Sequence, residues 1–196
     1  MEPQRSMPPR DHADARERLF GIIRENSFFR RKITLVSGRE SDFYFDMKPT
    51  MFDPEGAALL ARLFLERLQG ARVDYVGGLA VGAIPLIATV AARSHEDGRP
   101  IPGFFVRKDV KEHGTKRRID GLPEGASLSG RTVVVLEDVT TTGGSAMLAV
   151  EASREAGANI LQVLSIVDRQ EGAADTYAKA GVPFGSLFTA SEFLAG

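Results

Sequence analysis

The segment at residues 132–145 constrains the fold more than any other part of this chain. It reads TVVVLEDVTTTGGS: apolar strand residues, then the adjacent carboxylates Glu137 and Asp138, then a turn rich in hydroxyl groups that ends in Gly143 and Gly144. A glycine turn that enters a helix presents free N–H groups and the positive end of the helix dipole. The segment therefore predicts a phosphate-binding turn at the carboxyl end of a parallel strand, where open α/β sheets bind ligands.

Two carboxylates beside a phosphate site require a partner that is not an anion. A ribose diol or a developing positive charge would suit Glu137 and Asp138. A solvated strand end followed by an ordinary turn is the alternative for each piece taken alone, but it does not account for the whole string. The turn is not a Walker loop, because no lysine follows Gly143 and Gly144.

The remaining pattern predicts an α/β fold with an open, mostly parallel sheet flanked by helices. Beyond residue 70, short runs rich in Val, Ile and Leu alternate with longer helical stretches, which is typical of parallel strands joined by right-handed crossovers. The predicted strands are 73–78, 103–107, 132–138, 160–167 and 184–189. The predicted helices after residue 70 are 83–93, 144–155 and 173–180.

The first 70 residues follow a different pattern. They predict a helix over 14–26, strand-like residues over 33–47, and a second helix with Asp53 as N-cap, Pro54 in its first position and Gly70 beyond its end. Residues 1–12 are polar and rich in proline, so we expect a flexible extension rather than a secretory signal. We expect residues 13–196 to form one domain, with residues 13–52 as the main part of a flap, or hood, over the sheet.

Composition excludes several classes of protein. The 196 residues include no cysteine, which rules out a disulfide framework, a thiolate nucleophile and a cysteine-bound metal. No run approaches the roughly 18–20 apolar residues of a membrane span, so we expect no membrane association and a cytoplasmic location. A formal charge of −1 argues against a surface that coats nucleic acid.

A basic segment at residues 107–118 contrasts with this near-neutral balance. It carries six Lys or Arg residues and two acidic residues, a net charge of +4. With few apolar side chains to anchor it, we expect a mobile loop over residues 107–121. Cations and His113 beside a phosphate-binding turn favour a lid that closes on a polyphosphate. A solvated charged surface and a polynucleotide contact are the alternatives.

Together the two segments resemble the type I phosphoribosyltransferases, and within them the orotate phosphoribosyltransferases. Residues 134–145 are similar to the superfamily's signature for 5-phosphoribosyl 1-diphosphate (PRPP). Residues 37–39, 43–45 and 168–172 also match, and the resemblance covers roughly residues 15–195. The matches to the loop of the orotate enzymes are Arg107, Lys108, Lys111, His113 and Gly114.

The resemblance implies how PRPP would bind. Glu137 and Asp138 would take the ribose 2′- and 3′-hydroxyls, and Lys111, His113 and Asp138 would be the catalytic residues. Mg²⁺ would be the cofactor, held mainly through PRPP and water rather than by protein ligands. The other residues expected to contact PRPP are Arg107, Lys108, Val139, Thr140, Thr141, Thr142, Gly143, Gly144 and Ser145.

The resemblance also implies an orotate site, formed by Thr141 and Arg169. A guanidinium suits a planar pyrimidine that carries a carboxylate; the alternative for Arg169 is a surface salt bridge to Glu171 or Asp168. A lysine that some members carry before Ser-Gly-Arg is replaced here by Val36. Lys48 is a candidate replacement, and Tyr44 and Phe45 are further candidate site residues.

The implied reaction transfers the 5-phosphoribosyl group from PRPP to orotate in pyrimidine biosynthesis. The resemblance also implies a homodimer in which the basic loop reaches into the neighbouring site. Two alternatives keep the fold: transfer to another nucleobase, and a PRPP-binding regulator without activity.

Overall fold

The computed structural model describes residues 12–34, 40–108 and 118–195. Its strands are β1 (Phe28–Thr34), β2 (Glu40–Phe45), β3 (Tyr75–Gly77), β4 (Phe105–Val106), β5 (Ile119–Asp120), β6 (Thr132–Thr140), β7 (Asn159–Asp168) and β8 (Phe184–Thr189). Its helices are α1 (His12–Asn26), α2 (Lys48–Phe52), α3 (Pro54–Arg67), α4 (Ala83–Glu96), α5 (Gly144–Glu155), α6 (Ala173–Lys179) and α7 (Ala190–Leu194). None of these helices combines the length and the apolarity needed to cross a membrane.

A parallel sheet of strand order β3-β6-β7-β8 forms the centre of the molecule. The segment that leads into β4 extends this sheet beyond β3, through parallel bridges from Val76 to Gly103 and from Leu79 to Val106. The central strand β6 is buried on both faces from Val133 to Leu136, as its unbroken apolar run predicts. The predicted α/β class, with an open parallel sheet flanked by helices, is confirmed.

Two apolar layers enclose the sheet. One contains Leu136 with residues of α1, α3 and α4, and the other contains Val135 with residues of α5 and α6. The turn after β6 therefore emerges between the two layers, at the carboxyl edge of the sheet. Parallel strands bring their carboxyl ends to the same edge, so the ends of β6 and β7 are neighbours.

The predicted boundaries agree closely for the second N-terminal helix. The side chain of Asp53 accepts a hydrogen bond from the Gly56 N–H at 2.7 Å, with Pro54 next to it in the first turn. Gly70 follows the helix with a φ of +79°. The first and second predicted sheet strands are shorter than expected, because β3 spans only Tyr75–Gly77 and β4 only Phe105–Val106.

The predicted hood residues pack on the body of the molecule. β1 and β2 form an antiparallel hairpin, and Leu19 of α1 shares one core cluster with Leu136 and Phe188. Helix α1 starts at His12, two residues before the predicted start. Three short elements, α2, β5 and α7, were not predicted; β5 lies inside the segment expected to be a loop, where it pairs with β4.

Candidate functional site

Glu137 and Asp138 lie side by side near the end of β6, in different surroundings. Glu137 is 8 % exposed, and in the described part of the chain its Oε2 has no hydrogen-bond partner. Burial raises the pKa of Glu137 well above its ordinary value, and the charge and proximity of Asp138 raise it further. Glu137 is thus a buried acid that retains an unused acceptor.

Asp138 is more exposed and faces the loop that precedes α4. A Cβ placed on Gly82 would lie 2.9 Å from Oδ2 of Asp138, so the missing side chain lets the backbone approach the carboxylate. Oδ1 accepts a hydrogen bond from the Val139 N–H at 2.8 Å. These contacts fix the orientation of the carboxylate from two sides.

Lys48 lies within electrostatic reach of Asp138. Its ammonium donates a hydrogen bond to Asp46 at 2.7 Å, which raises the pKa of Lys48, and the negative charge of Asp138 raises it further. The structure thus places a cation within electrostatic reach of Asp138. Lys48 remains the candidate replacement for the lysine missing at Val36, which itself lies outside the described residues.

The turn after β6 contains Gly143 and packs against Tyr177 of α6. Gly143 has a φ of +86°, and a Cβ there would lie 3.0 Å from Cζ of Tyr177. The hydroxyls of Thr140 and Tyr177 are 2.8 Å apart, and both side chains are buried. The hydroxyl of Thr140 is therefore engaged inside the protein, whereas Thr142, Gly144 and Ser145 are exposed at the start of α5.

Tyr177 is a residue that sequence reasoning missed. A tyrosine on the apolar side of a short amphipathic helix is typical of the core, and nothing in its own segment points to the turn. Burial raises its pKa to about 12, against the effect of the hydrogen bond to Thr140. The hydroxyl of Tyr177 thus stays protonated at neutral pH.

Arg169 follows β7 and is held by three groups. Its Nε donates to Glu171 at 2.8 Å, its Nη2 donates to Ser41 Oγ at 2.9 Å, and its Cζ lies 4.4 Å from the centroid of the Phe43 ring. The predicted alternative, an ion pair with Glu171, is confirmed, but the pair is not at the surface: Arg169 is only 5 % exposed. Ser41 and Phe43 come from β2 and were not predicted to contact it.

The other predicted site residues have different surroundings. Phe45 and Val139 pack on the hydrophobic core, where the ring of Phe45 contacts Phe28 and Phe193. The ring of Phe45 is thus a core group, which differs from its expected place as a candidate site residue. Tyr44 is half-buried on the same strand.

The beginning of the basic segment is partly tied down. Arg107 pairs with Asp120 across the β4–β5 ribbon, with Nε 2.9 Å from Oδ2, while Lys108 is exposed. Lys111, His113 and Gly114 lie outside the described residues, as do residues 37–39. Within residues 12–34, 40–108 and 118–195, no three His, Asp or Glu side chains converge as a metal site.

The carboxyl edge of the sheet therefore combines three kinds of group. A turn and a helix start offer N–H and hydroxyl donors to an anion, a carboxylate pair offers acceptors to hydroxyl groups, and a buried guanidinium lies beside them. The backbone joins the two sides, because the Arg169 N–H donates to the Thr140 carbonyl at 2.9 Å. This arrangement suits a phosphorylated sugar with a second, planar ligand next to it.

Comparison with known proteins agrees with this site. Residues 51–184 match the family model of the phosphoribosyl transferase domain, which defines the class of protein. The orotate phosphoribosyltransferase of Bradyrhizobium diazoefficiens is 59 % identical over 180 residues, which cover 92 % of this chain and 96 % of that protein. An enzyme of that name from Rhodopseudomonas palustris is also 59 % identical, over the same share of both chains.

A solved structure gives the same result. Mycobacterium tuberculosis orotate phosphoribosyltransferase in complex with PRPP superimposes with a TM-score of 0.75 at 33 % identity, covering 91 % of this chain and 98 % of that one. The chain therefore belongs to the orotate phosphoribosyltransferase family.

Proposed function

We propose that this protein transfers the 5-phosphoribosyl group of PRPP to orotate, releasing diphosphate and forming orotidine 5′-monophosphate. The observation that carries the proposal is the end of β6, where the carboxylates of Glu137 and Asp138 precede a left-handed turn at Gly143 and the start of α5. The relatives and the PRPP complex of the mycobacterial enzyme support the choice of substrates.

The turn would hold the 5′-phosphate of PRPP. Backbone N–H groups at the start of α5 and the hydroxyls of Thr141, Thr142 and Ser145 are the donors. Gly143 and Gly144 let the chain approach the phosphate closely. Thr140 and Val139 would contribute through the backbone, because the side chain of Thr140 is bonded to Tyr177 and that of Val139 packs on the core.

The two carboxylates would hold the ribose ring. Glu137 and Asp138 accept hydrogen bonds from the 2′- and 3′-hydroxyls, and the unused Oε2 of Glu137 gives one of these acceptors. As the bond from C1 to the diphosphate breaks, positive charge develops on the ring. The negative field of Asp138, whose orientation is fixed by Gly82 and Val139, stabilises that charge.

Cations of the basic segment would stabilise the leaving diphosphate. Lys111 and His113 are the proposed catalytic cations, with Arg107 and Lys108 at the described end of the segment. Arg107 would exchange Asp120 for the diphosphate, or bind it while still paired. Closure over the site would exclude water and so protect the developing cation from hydrolysis.

Mg²⁺ would serve as cofactor and neutralise charge on the diphosphate. The carboxylate oxygens of Glu137 and Asp138 are ligands of the hard type that Mg²⁺ takes, and the ion commonly keeps several waters. We expect it to be held mainly by PRPP and water, with these acids oriented toward the same sugar.

Orotate would bind between Arg169 and the turn. The Arg169 guanidinium is already oriented by Glu171, Ser41 and Phe43, so it can meet an anionic planar base without further ordering. Thr141 would contact the base from the turn. Lys48 would add positive charge near Asp138. Tyr44, on β2, is a further candidate site residue.

The first test is the fall in orotate absorbance with purified protein, PRPP and Mg²⁺. We expect turnover that depends on PRPP, and a fall of at least about 100-fold in kcat for Lys111→Ala if that cation stabilises the leaving group. The exposed Lys179→Ala on α6 is the matched control and should leave kcat unchanged. Turnover of another base but not of orotate would reassign the substrate. Absence of turnover with any base would refute the proposal that the protein is an active phosphoribosyltransferase.

We also propose that the protein is a cytoplasmic homodimer of the pyrimidine pathway, in which the basic loop completes the neighbouring site. Mixing Lys111→Ala with Asp138→Asn protomers tests the shared site. Random exchange would give about a quarter of sites with native Lys111 and native Asp138 if the loop crosses to the partner. No recovery after mixing would show that each loop serves its own site.

A further inference from the structure

We propose that Tyr177 is a positioning residue for the turn that binds the 5′-phosphate, acting through its hydrogen bond to Thr140 and its ring contact with Gly143. The inference rests on the proposed function, because it assigns Tyr177 a part in binding PRPP. Tyr177 itself is fully buried and would touch no substrate.

The hydroxyl contact fixes the last residue of β6. Tyr177 Oη and Thr140 Oγ1 are 2.8 Å apart, in a region where water does not reach either group. A buried hydroxyl without a partner is costly, so each of these groups depends on the other. Both are satisfied only while the end of β6 lies over α6.

The ring contact fixes the next part of the turn. The space that a Cβ of Gly143 would occupy is limited by Cζ of Tyr177 at 3.0 Å and by its Oη at 3.2 Å. Gly143, whose backbone φ is +86°, therefore packs closely against the ring of Tyr177. One side chain thus supports the turn at two points, Thr140 and Gly143, with the exposed Thr142 between them.

The hydroxyl is the informative part of the residue. A phenylalanine would fill the same volume and preserve the contacts with Phe184, whose ring centroid lies 4.8 Å away. It would leave the Thr140 hydroxyl unpaired and the end of β6 less firmly held. A tyrosine is protonated at neutral pH in any case, and burial, which raises the pKa of Tyr177 to about 12, extends this protonated range further.

Without the support of Tyr177, the turn would bind the 5′-phosphate less tightly, and by the same factor, in the ground state and in the transition state. An effect that is uniform in the ground state and the transition state raises KM and leaves kcat unchanged. A purely structural role in the core would lower thermal stability and leave KM for PRPP unchanged. The two roles are therefore separable by kinetics.

The test compares Tyr177→Phe with the wild-type protein, using calorimetric binding of ribose 5-phosphate and steady-state kinetics. We expect the Kd of ribose 5-phosphate and the KM of PRPP to rise about five-fold, with kcat and the KM of orotate within two-fold. Thr140→Val should give the same result. The double variant should be no worse than either single one, because both remove the same bond.

Phe184→Leu is the matched control, since it trims a ring that contacts Tyr177 but belongs to β8 and not to the turn. It should lower Tm without changing KM for PRPP. Unchanged constants in both Tyr177→Phe and Thr140→Val, or an equal rise in KM for Phe184→Leu, would overturn the inference. A wild-type protein that neither binds ribose 5-phosphate nor converts orotate would instead refute the proposed function.

Discussion

The turn after β6 and the turn after β7 lie side by side but are stabilised in different ways. The first packs on an uncharged group, the ring and hydroxyl of Tyr177, which belongs to α6. The second presents Arg169, which is held by an ion pair, a hydrogen bond and an aromatic ring. Two of those three groups come from the β1–β2 hairpin.

In the proposed function, this difference separates the PRPP side of the site from the orotate side. The phosphate side depends on packing within the second apolar layer, and the base side depends on a contact between residues 128 positions apart in sequence. Substitutions on one side should therefore change the kinetic constants for one substrate and leave the constants for the other substrate unchanged. Gly143→Ala, Phe43→Leu and Ser41→Ala test this separation, and Glu137→Gln tests the buried acid that precedes the first turn.

Gly143→Ala should have the largest effect and should act on PRPP. Its φ of +86° is strained for alanine, at a cost of about 1–3 kcal/mol, and the new methyl group would press on Tyr177 at 3.0 Å. We expect kcat/KM for PRPP to fall about 10- to 100-fold. Gly181→Ala is the control: its φ is +63° with open space around it, so it should lower Tm but leave both substrates unaffected.

Phe43→Leu should act on orotate. Removing the ring beneath the Arg169 guanidinium removes a partly desolvated cation–π contact worth about 1–2 kcal/mol. We expect KM for orotate to rise about ten-fold while KM for PRPP stays within two-fold. Phe29→Leu, at an exposed ring of the same hairpin, should change neither constant. A parallel rise in both constants for Phe43→Leu would show that the two sides are coupled.

Glu137→Gln should change how stability depends on pH. The pKa of Glu137 is raised in the folded state, so its contribution to stability is fully present below the ordinary glutamate pKa and is lost as pH rises through the raised value. Glutamine stays neutral, so the variant should gain in Tm relative to wild type between pH 5 and pH 8 without ligand. Each 1 kcal/mol corresponds to about 2–4 °C.

The exposed Glu151→Gln on α5 serves as control for this experiment and should show no such trend. If the difference in Tm between Glu137→Gln and wild type were the same at both pH values, Glu137 would be ionised throughout, and its burial would be compensated in some other way.

Ser41→Ala should have the smallest effect. It removes one of the three groups that hold Arg169 and leaves Glu171 and Phe43 in place, so the guanidinium loses one hydrogen bond. We expect KM for orotate to rise about two- to three-fold, less than the full strength of a hydrogen bond to a charged group, because Glu171 and Phe43 keep the guanidinium in place. An effect larger than that of Phe43→Leu would reverse the relative importance of the two contacts.

The same contrast explains what the sequence could predict. The strand, the carboxylates and the turn at residues 132–145 are contiguous, and their fold follows from local periodicity and glycine chemistry. The pairing of Arg169 with Glu171 was also predictable, because the two residues are close in sequence. Its burial was not, because burial depends on Ser41 and Phe43 coming from the hairpin.

Two further features of the structure were not predicted from the sequence, for a similar reason. Tyr177 looks like an ordinary core residue, because Thr140, the partner of its hydroxyl, lies 37 positions away in sequence. Strand β5 lies within residues 107–121, which were expected to form a loop, and it exists through its pairing with β4. Interactions between distant segments decided each of these features, and single-sequence periodicity does not report them.

The register between β6 and β7 has a consequence for substrate size. Thr140 and Asp168 are aligned partners at the ends of adjacent strands, and a backbone hydrogen bond ties the two turns together. Because adjacent strands are about 4.8 Å apart, the sheet would help to set the spacing between the phosphate and the base in the proposed function. A fixed spacing of this kind would select the length of the sugar phosphate. A sugar with one carbon more or fewer between the phosphate and the reacting carbon would place that carbon out of line with the base.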